Sequence, residues 1–455
     1  MSLKSLLANA LFSRYAAFMK WDGKKAIFGW AMYDWANSAF ATTVMAGFFP
    51  IFFKQYWSLG ADATVSTARL GLGNSIAGVI VALSAPVLGA IADKGSTRKK
   101  FLLFFAVMGI LMTMGLYLVK QGSWPLAILI YVLATVGFSG GNIFYDALIT
   151  GITTDDKVDM VSSLGFSLGY LGGGLLFALN VWMTLRPETF GFSGAGEAVK
   201  LSFLMVGLWW AVFSIPIFLF VREPDQKPAG AQDGHSVKAG IRQLMDTFQE
   251  VRHLKTIFLF LLAYWLYIDG VNTIIRMAVD YGISIGFKTS DLISALLITQ
   301  FVGFPAALGF GFLGRKFGTR PAIFLAIMVY LFVSIWAAFM KSSAEFYVLA
   351  IVVGLVQGGI QALSRSYYAR LIPKNKSAEY FGFYNMVGKF SAIIGPVLMG
   401  GTGLYIRSLG YGSHTASRIS IASVAVFFIA GGILFYFVKE EKGKEELKYL
   451  LHPVP

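Results

Sequence analysis

The sequence contains no cysteine, and only 14% of its 455 residues are charged. Without thiols there is no disulfide framework, no cysteine nucleophile and no thiolate metal site, although compartment stays open on that count. With so little charge the chain cannot cover a water-soluble surface for its length, whereas helices that face lipid need almost none. Histidine is scarce too, at 4 residues. His253 and His414 have no partners at metal-ligand spacing, so no metal and no cofactor is expected.

What is abundant points to a bilayer. The chain is 56% hydrophobic, with a mean hydropathy of +0.66. It holds 50 glycines and 41 phenylalanines, the first allowing membrane helices to approach closely and the second suited to lipid contact. A net charge of +14 would suit a nucleic-acid partner. The basic residues, however, sit at the ends of apolar stretches and not together on one surface, so nucleic-acid binding is not expected.

A spanning helix needs roughly 20 mostly apolar residues. Stretches of that kind lie at 27–53, 71–92, 101–119, 125–149, 161–184 and 201–221, then at 256–281, 291–313, 321–340, 345–370, 380–404 and 417–438. The division is an N-terminal segment 1–25, a six-helix bundle 26–221, a polar linker 222–255, a second bundle 256–438 and a tail 439–455. With the N-terminus in the cytoplasm, about 26 Lys/Arg fall in cytoplasmic segments against about 9 outside, which puts both termini and the linker inside. The first 25 residues lack the continuous apolar core of a signal peptide. Their apolar residues fall near helical spacing, and both a helix on the inner leaflet and a free tail fit that pattern.

The halves echo one another. After the second stretch the chain reads Gly89-Ala-Ile-Ala-Asp93-Lys94-Gly-Ser-Thr97-Arg98, and after the eighth Gly311-Phe-Leu-Gly-Arg315-Lys316-Phe-Gly-Thr319-Arg320. Weaker echoes pair Asp34 and Asn37 with Asp269 and Asn272, and Gly165-Phe166 with Gly382-Phe383. Duplicated bundles of this kind occur in transporters, with the site near the midplane between them. The first loop resembles the signature loop of the major facilitator superfamily. That resemblance implies an all-α membrane fold of twelve helices in two pseudo-symmetric bundles, in which Asp93 and Arg98 form a charge lock and Arg315 and Arg320 hold the matching place. More narrowly, Trp30-Ala-Met-Tyr33-Asp34-Trp35-Ala-Asn37-Ser38, supported by Gly140-Gly141-Asn142-x-x-Tyr145-Asp146, resembles the vacuolar effluxer family, which includes the autophagy-related amino-acid exporter of fungal vacuoles and bacterial members. It implies export of neutral amino acids or related metabolites.

Ionisable groups inside a span are costly and are functional candidates by default. Asp34, flanked by Tyr33 and Asn37, and Asp269, with Asn272 one turn on, are expected to meet substrate or protons. Lys389, near the middle of the eleventh stretch with Asn385 a turn before it, needs an anion, and Asp269 is a candidate. Arg276 and Asp280 read as a structural pair. Asp146 and Arg365, on corresponding helices with opposite charges, suit a gate pair between the halves, although ordinary helix-end charges explain them equally. Tyr33 and Tyr145, each beside an acid, are the aromatics kept for the site. Gly172-Gly173-Gly174 suits close packing or a hinge better than a phosphate cradle, since no P-loop lysine follows.

The expectation is therefore a secondary transporter, not an enzyme, that works by alternating access. A cation such as Lys389 holds a carboxylate, Asp34 or Asp269 an ammonium, and a carboxylate carries protons. Drugs, sugars, muropeptides or lipids remain rival cargoes, and a membrane enzyme or receptor is the rival class. The partners are a small solute, protons and the lipid bilayer, with no nucleic acid. A monomer in a bacterial inner membrane is expected.

Overall fold

The computed structural model describes residues 23–61, 63–223 and 254–451. Every element among them is helical. Twelve helices are long and apolar enough to cross a membrane. They are α1 Gly23–Trp57, α2 Arg69–Asp93, α3 Arg98–Leu118, α4 Trp124–Ile152, α5 Val158–Leu185, α6 Ala195–Phe220, α7 Lys255–Ala278, α8 Asp291–Phe317, α9 Thr319–Phe339, α10 Ser343–Leu371, α11 Lys374–Ser408 and α12 His414–Phe437. The twelve apolar stretches are thus all helices, as the absence of water to satisfy backbone N–H and C=O groups requires. The start of the chain, with its suggested interfacial helix, and most of the linker lie outside the described residues.

Consecutive spans run in alternating directions. The turns after α2, α4, α8 and α10 therefore share one end of the molecule with the linker; this end is the linker face and the other the far face. The tail adds α13, Glu440–Leu451, on the linker face. There the Glu446 carboxylate accepts Thr256 N–H at 3.0 Å and Thr256 Oγ1–H at 3.1 Å, tying α13 to the start of α7.

The two six-helix halves meet along α2 with α11 and α5 with α8. At the linker-face end of the first seam the backbones nearly touch. A Cβ on Gly89 would stand 2.2 Å from the Ala378 carbonyl oxygen, and one on Gly382 2.7 Å from that of Ala85. Each helix thus fits only because the other presents glycine. The Gly172–Gly174 run also serves close packing, with Gly172 against Trp35 and Gly173 against the Ser38 backbone of α1. Outward-facing positions carry bare apolar side chains, among them Leu83, Phe104, Leu208 and Phe332, as a lipid-facing perimeter requires.

Candidate functional site

Between the halves lies a cavity of about 460 Å³. It runs from Asp34 and Arg365, in the linker-side parts of α1 and α10, toward the far-face ends of α9 and α10 at Met340 and Phe346. Just past Asn37 the α1 backbone widens into a π-helical segment, Phe40–Phe48, of a kind that recurs where helices border functional sites. Asn37 faces the cavity and donates through Nδ2 to Asn142 Oδ1 at 2.6 Å.

The floor is a charge cluster shared by both halves. Arg365 of α10 projects from the second half into the first. Its Nη1 donates to Asp146 Oδ1 of α4 at 3.1 Å, and both Nη atoms stand 3.5 Å from Asp34 Oδ2 of α1. Its Nε and Nη2 donate to Ser162 Oγ and O, each at 2.9 Å. Tyr145 Oη donates to Asp34 Oδ2 at 2.7 Å, and Asn385 Nδ2 to Asp146 Oδ2 at 3.3 Å. The guanidinium also lies 4.3 Å from the Phe166 ring centre and 4.7 Å from that of Trp30. Aromatic faces and fixed hydrogen bonds thus replace its hydration, the condition for keeping a charge in a dry place. Two carboxylates share one guanidinium, so the cluster can exchange a proton or an ammonium group without losing its arginine.

Nearer the linker face two further clasps cross the seam. Asp93 accepts Ala378 N–H at 3.2 Å and Glu379 N–H at 2.9 Å, a carboxylate on the free N–H groups at the start of a helix, and holds Arg98 Nε at 2.6 Å. Arg98 reaches on to the Lys374 and Asn375 carbonyls, at 3.3 and 3.4 Å. In the second clasp Asp159 of α5 accepts from Thr319 Oγ1 at 2.7 Å, from Arg370 Nη1 at 2.9 Å and from the Ser366 hydroxyl. Arg370 Nε also bonds Glu440 of α13 at 3.0 Å. The linker face is closed in this conformation.

Residues 66–448 match the family described as "Vacuole effluxer Atg22 like". The chain belongs to this family. The uncharacterized MFS-type transporter YxiO of Bacillus subtilis is 38% identical over 415 residues, covering 90% of this chain and 94% of that one. Autophagy-related protein 22 of Eremothecium gossypii is 21% identical over 466 residues, covering 88% and 90%. Among solved structures, the proton:xylose symporter XylE superposes with a TM-score of 0.67 at 12% identity, covering 96% of this chain and 99% of that one, which is a likeness of fold. The Atg22-like protein is thus an MFS-type transporter, integral to a membrane through twelve spans.

Several sequence expectations meet in this geometry. Asp34, Tyr145, Asp146, Asn385 and Arg365 gather at the floor, Asp93 and Arg98 form the expected clasp, and Asn272 and Lys389 line the cavity. Tyr33 is buried behind Tyr145, ring centres 5.1 Å apart, and does not reach the wall.

Other expectations need correction. Lys389 and Asp269 form no ion pair. Asp269 is not a cavity-lining residue, because it turns to α11, where its Oδ1 accepts Gly395 N–H at 2.9 Å. Arg315 is exposed and, among the described residues, forms no hydrogen bond or ion pair across the seam, its field only reaching the exposed Asp156, because a cation cannot accept backbone N–H groups as Asp93 does. Arg320 bonds the Tyr436 carbonyl on α12, within its own half. The arginine that crosses the seam there is Arg370, and the acid comes from Asp159. Sequence reading passed over both, although opposite charges near helix ends on one face were the available signal. The side chain of Asp280, the expected partner of Arg276, lies outside the described residues.

Proposed function

We propose that this Atg22-like protein exports neutral amino acids or related small metabolites by alternating access, coupled to protons. The observation that carries the reading is the floor of the cavity, where Arg365 from one half meets Asp34 and Asp146 from the other. A site formed by both halves exists in full only while they are closed on its linker side, so rocking them apart there changes substrate affinity and access together. A zwitterion suits the lining: Lys389 for its carboxylate, the Asp34–Asp146 pair for its ammonium, and Tyr170, Tyr264 and Tyr384 for an apolar side chain. The volume, about 460 Å³, is that of a small-ligand site.

The bias of Lys and Arg toward the linker face favours a cytoplasmic linker and termini, which makes the present conformation outward-facing. On this reading the clasps of Asp93 with Arg98 and of Asp159 with Arg370 are the inner gate. The setting proposed is a bacterial inner membrane, with the monomer as the working unit.

A ligand that binds only the folded state raises apparent stability, by about 2.7 kcal/mol at a hundred times its Kd. Thermal unfolding of the purified protein against neutral amino acids, dipeptides, sugars and nucleosides tests the substrate class. A selective upward shift with neutral amino acids, lost in Lys389→Ala, supports the reading; a shift with sugars or nucleosides alone overturns it.

A further inference from the structure

Asp269 on α7 is 1% exposed, and the transport cycle above makes no use of it. Its Oδ1 accepts Gly395 N–H of α11 at 2.9 Å and Thr273 Oγ1–H at 3.3 Å, while Oδ2 is enclosed and meets no donor among the described residues. The contact is closely fitted, since a Cβ on Gly395 would stand 1.6 Å from Thr273 Oγ1 and 2.6 Å from Asp269 Oδ1. Only glycine lets α11 come this near. Pro396 follows at once inside α11 and withdraws one N–H from the helix ladder, which makes this point a natural place to bend.

The groups around the carboxyl do not neutralise it. On its own helix Arg276, two turns further on, is the charged side chain whose field reaches it. From α11 the contact is a backbone N–H, and from α12 it is the Phe428 ring packed on the adjacent Gly270. Among the described residues no lysine, arginine or histidine forms an ion pair with Asp269. An ionised carboxylate with one bare oxygen in such a place costs several kcal/mol, whereas a protonated one keeps both bonds at Oδ1 and carries no charge.

We propose that Asp269 is a proton-binding site of this transporter, separate from the substrate cavity, and that its occupancy sets the contact between α7 and the bend in α11. The step is a proton transfer alone. Hydronium on one side gives its proton to Oδ2: one of its O–H bonds breaks, leaving water, as the Oδ2–H bond forms. When α11 swings away at Gly395 and Pro396, that bond breaks to water on the other side and the carboxylate is restored. This coupling role rests on the proton-coupled reading above, but proton occupancy is measurable without any substrate.

Infrared difference spectra of wild type against Asp269→Asn in lipid vesicles test occupancy directly. The carboxylic-acid C=O stretch, present in wild type at neutral pH and absent in the variant, is the expected result; its absence from wild type overturns the proposal. In transport, Asp269→Asn keeps an oxygen for Gly395. It is expected to retain substrate exchange while pH-gradient-driven accumulation falls about tenfold or more, in the range of coupling energies. Equal loss of exchange and accumulation, in a variant that still unfolds cooperatively, makes Asp269 structural and overturns its coupling role. Unchanged accumulation does the same. Wild-type vesicles that exchange no neutral amino acid remove the substrate reading, and the infrared band still decides the proton site.

Discussion

Arg365 Nη1 and Asp146 Oδ1 stand 3.1 Å apart across the boundary between the two six-helix halves, both side chains almost wholly enclosed. Asp34 Oδ2, at 3.5 Å from Nη2, gives the same guanidinium a second carboxylate. Removing one member of a buried ion pair costs about 3–5 kcal/mol, because the other charge is left dry and unpaired. Arg365→Ala is therefore expected to lower the unfolding temperature and abolish transport. Arg365→Lys restores the charge but not the fork that also holds Ser162, so it regains stability in part and transport hardly at all. Thermal unfolding and vesicle uptake, run side by side, check both.

On the proposed alternating-access reading, the linker face opens during the cycle. Asp155 and Lys374 face each other there, Oδ1 to Nζ at 3.2 Å, both more than half exposed. Because the chain has no cysteine, Asp155→Cys with Lys374→Cys introduces a unique thiol pair. A short cleavable cross-linker joining them is expected to stop uptake, and cleaving it to restore uptake; flux that persists through complete cross-linking argues against opening at this face.

Gly89 gives a steric test of the same closure. A Cβ there meets the Ala378 carbonyl at 2.2 Å, and neither backbone can give way cheaply. Gly89→Val is expected to hold the first seam apart. A cysteine at Ser377, whose hydroxyl now donates to the Ala147 carbonyl at 3.1 Å, reports the change as several-fold faster thiol labelling.

Arg370 joins three elements, with Asp159 at 2.9 Å on α5 and Glu440 at 3.0 Å on α13. Glu440 is partly open to solvent, so Glu440→Gln is expected to cost about 1 kcal/mol or less. Arg370→Ala strands the enclosed Asp159 and is expected to cost several times more. Denaturation of the two variants and of the double mutant gives the coupling between Arg370 and Glu440.

The spans were legible because each must hold a run of apolar residues long enough to cross lipid, and nothing else in the chain resembles one. Asp146 and Arg365 were legible as opposite charges on corresponding helices. Helix rotation was not legible. The echo of Asp34 and Asn37 in Asp269 and Asn272 suggests equal roles, yet Asn272 faces the cavity and Asp269 packs on Gly395. The loop echo likewise equated Arg315 with Asp93, although a reversed charge forces the matching clasp to take its acid from α5. Asp159 and Arg370 escaped notice because charges near helix ends are ordinary, and only the fold brings these two together.

Counterflow exchange of a labelled neutral amino acid in protein-loaded vesicles tests the central claim most directly, because it requires substrate binding and alternation of the site but no driving gradient. Rapid exchange by wild type, lost in both Lys389→Ala and Arg365→Lys while the proteins remain folded, is the predicted result. Exchange no faster than in empty vesicles across the neutral amino acids, or full exchange in the two variants, would contradict it.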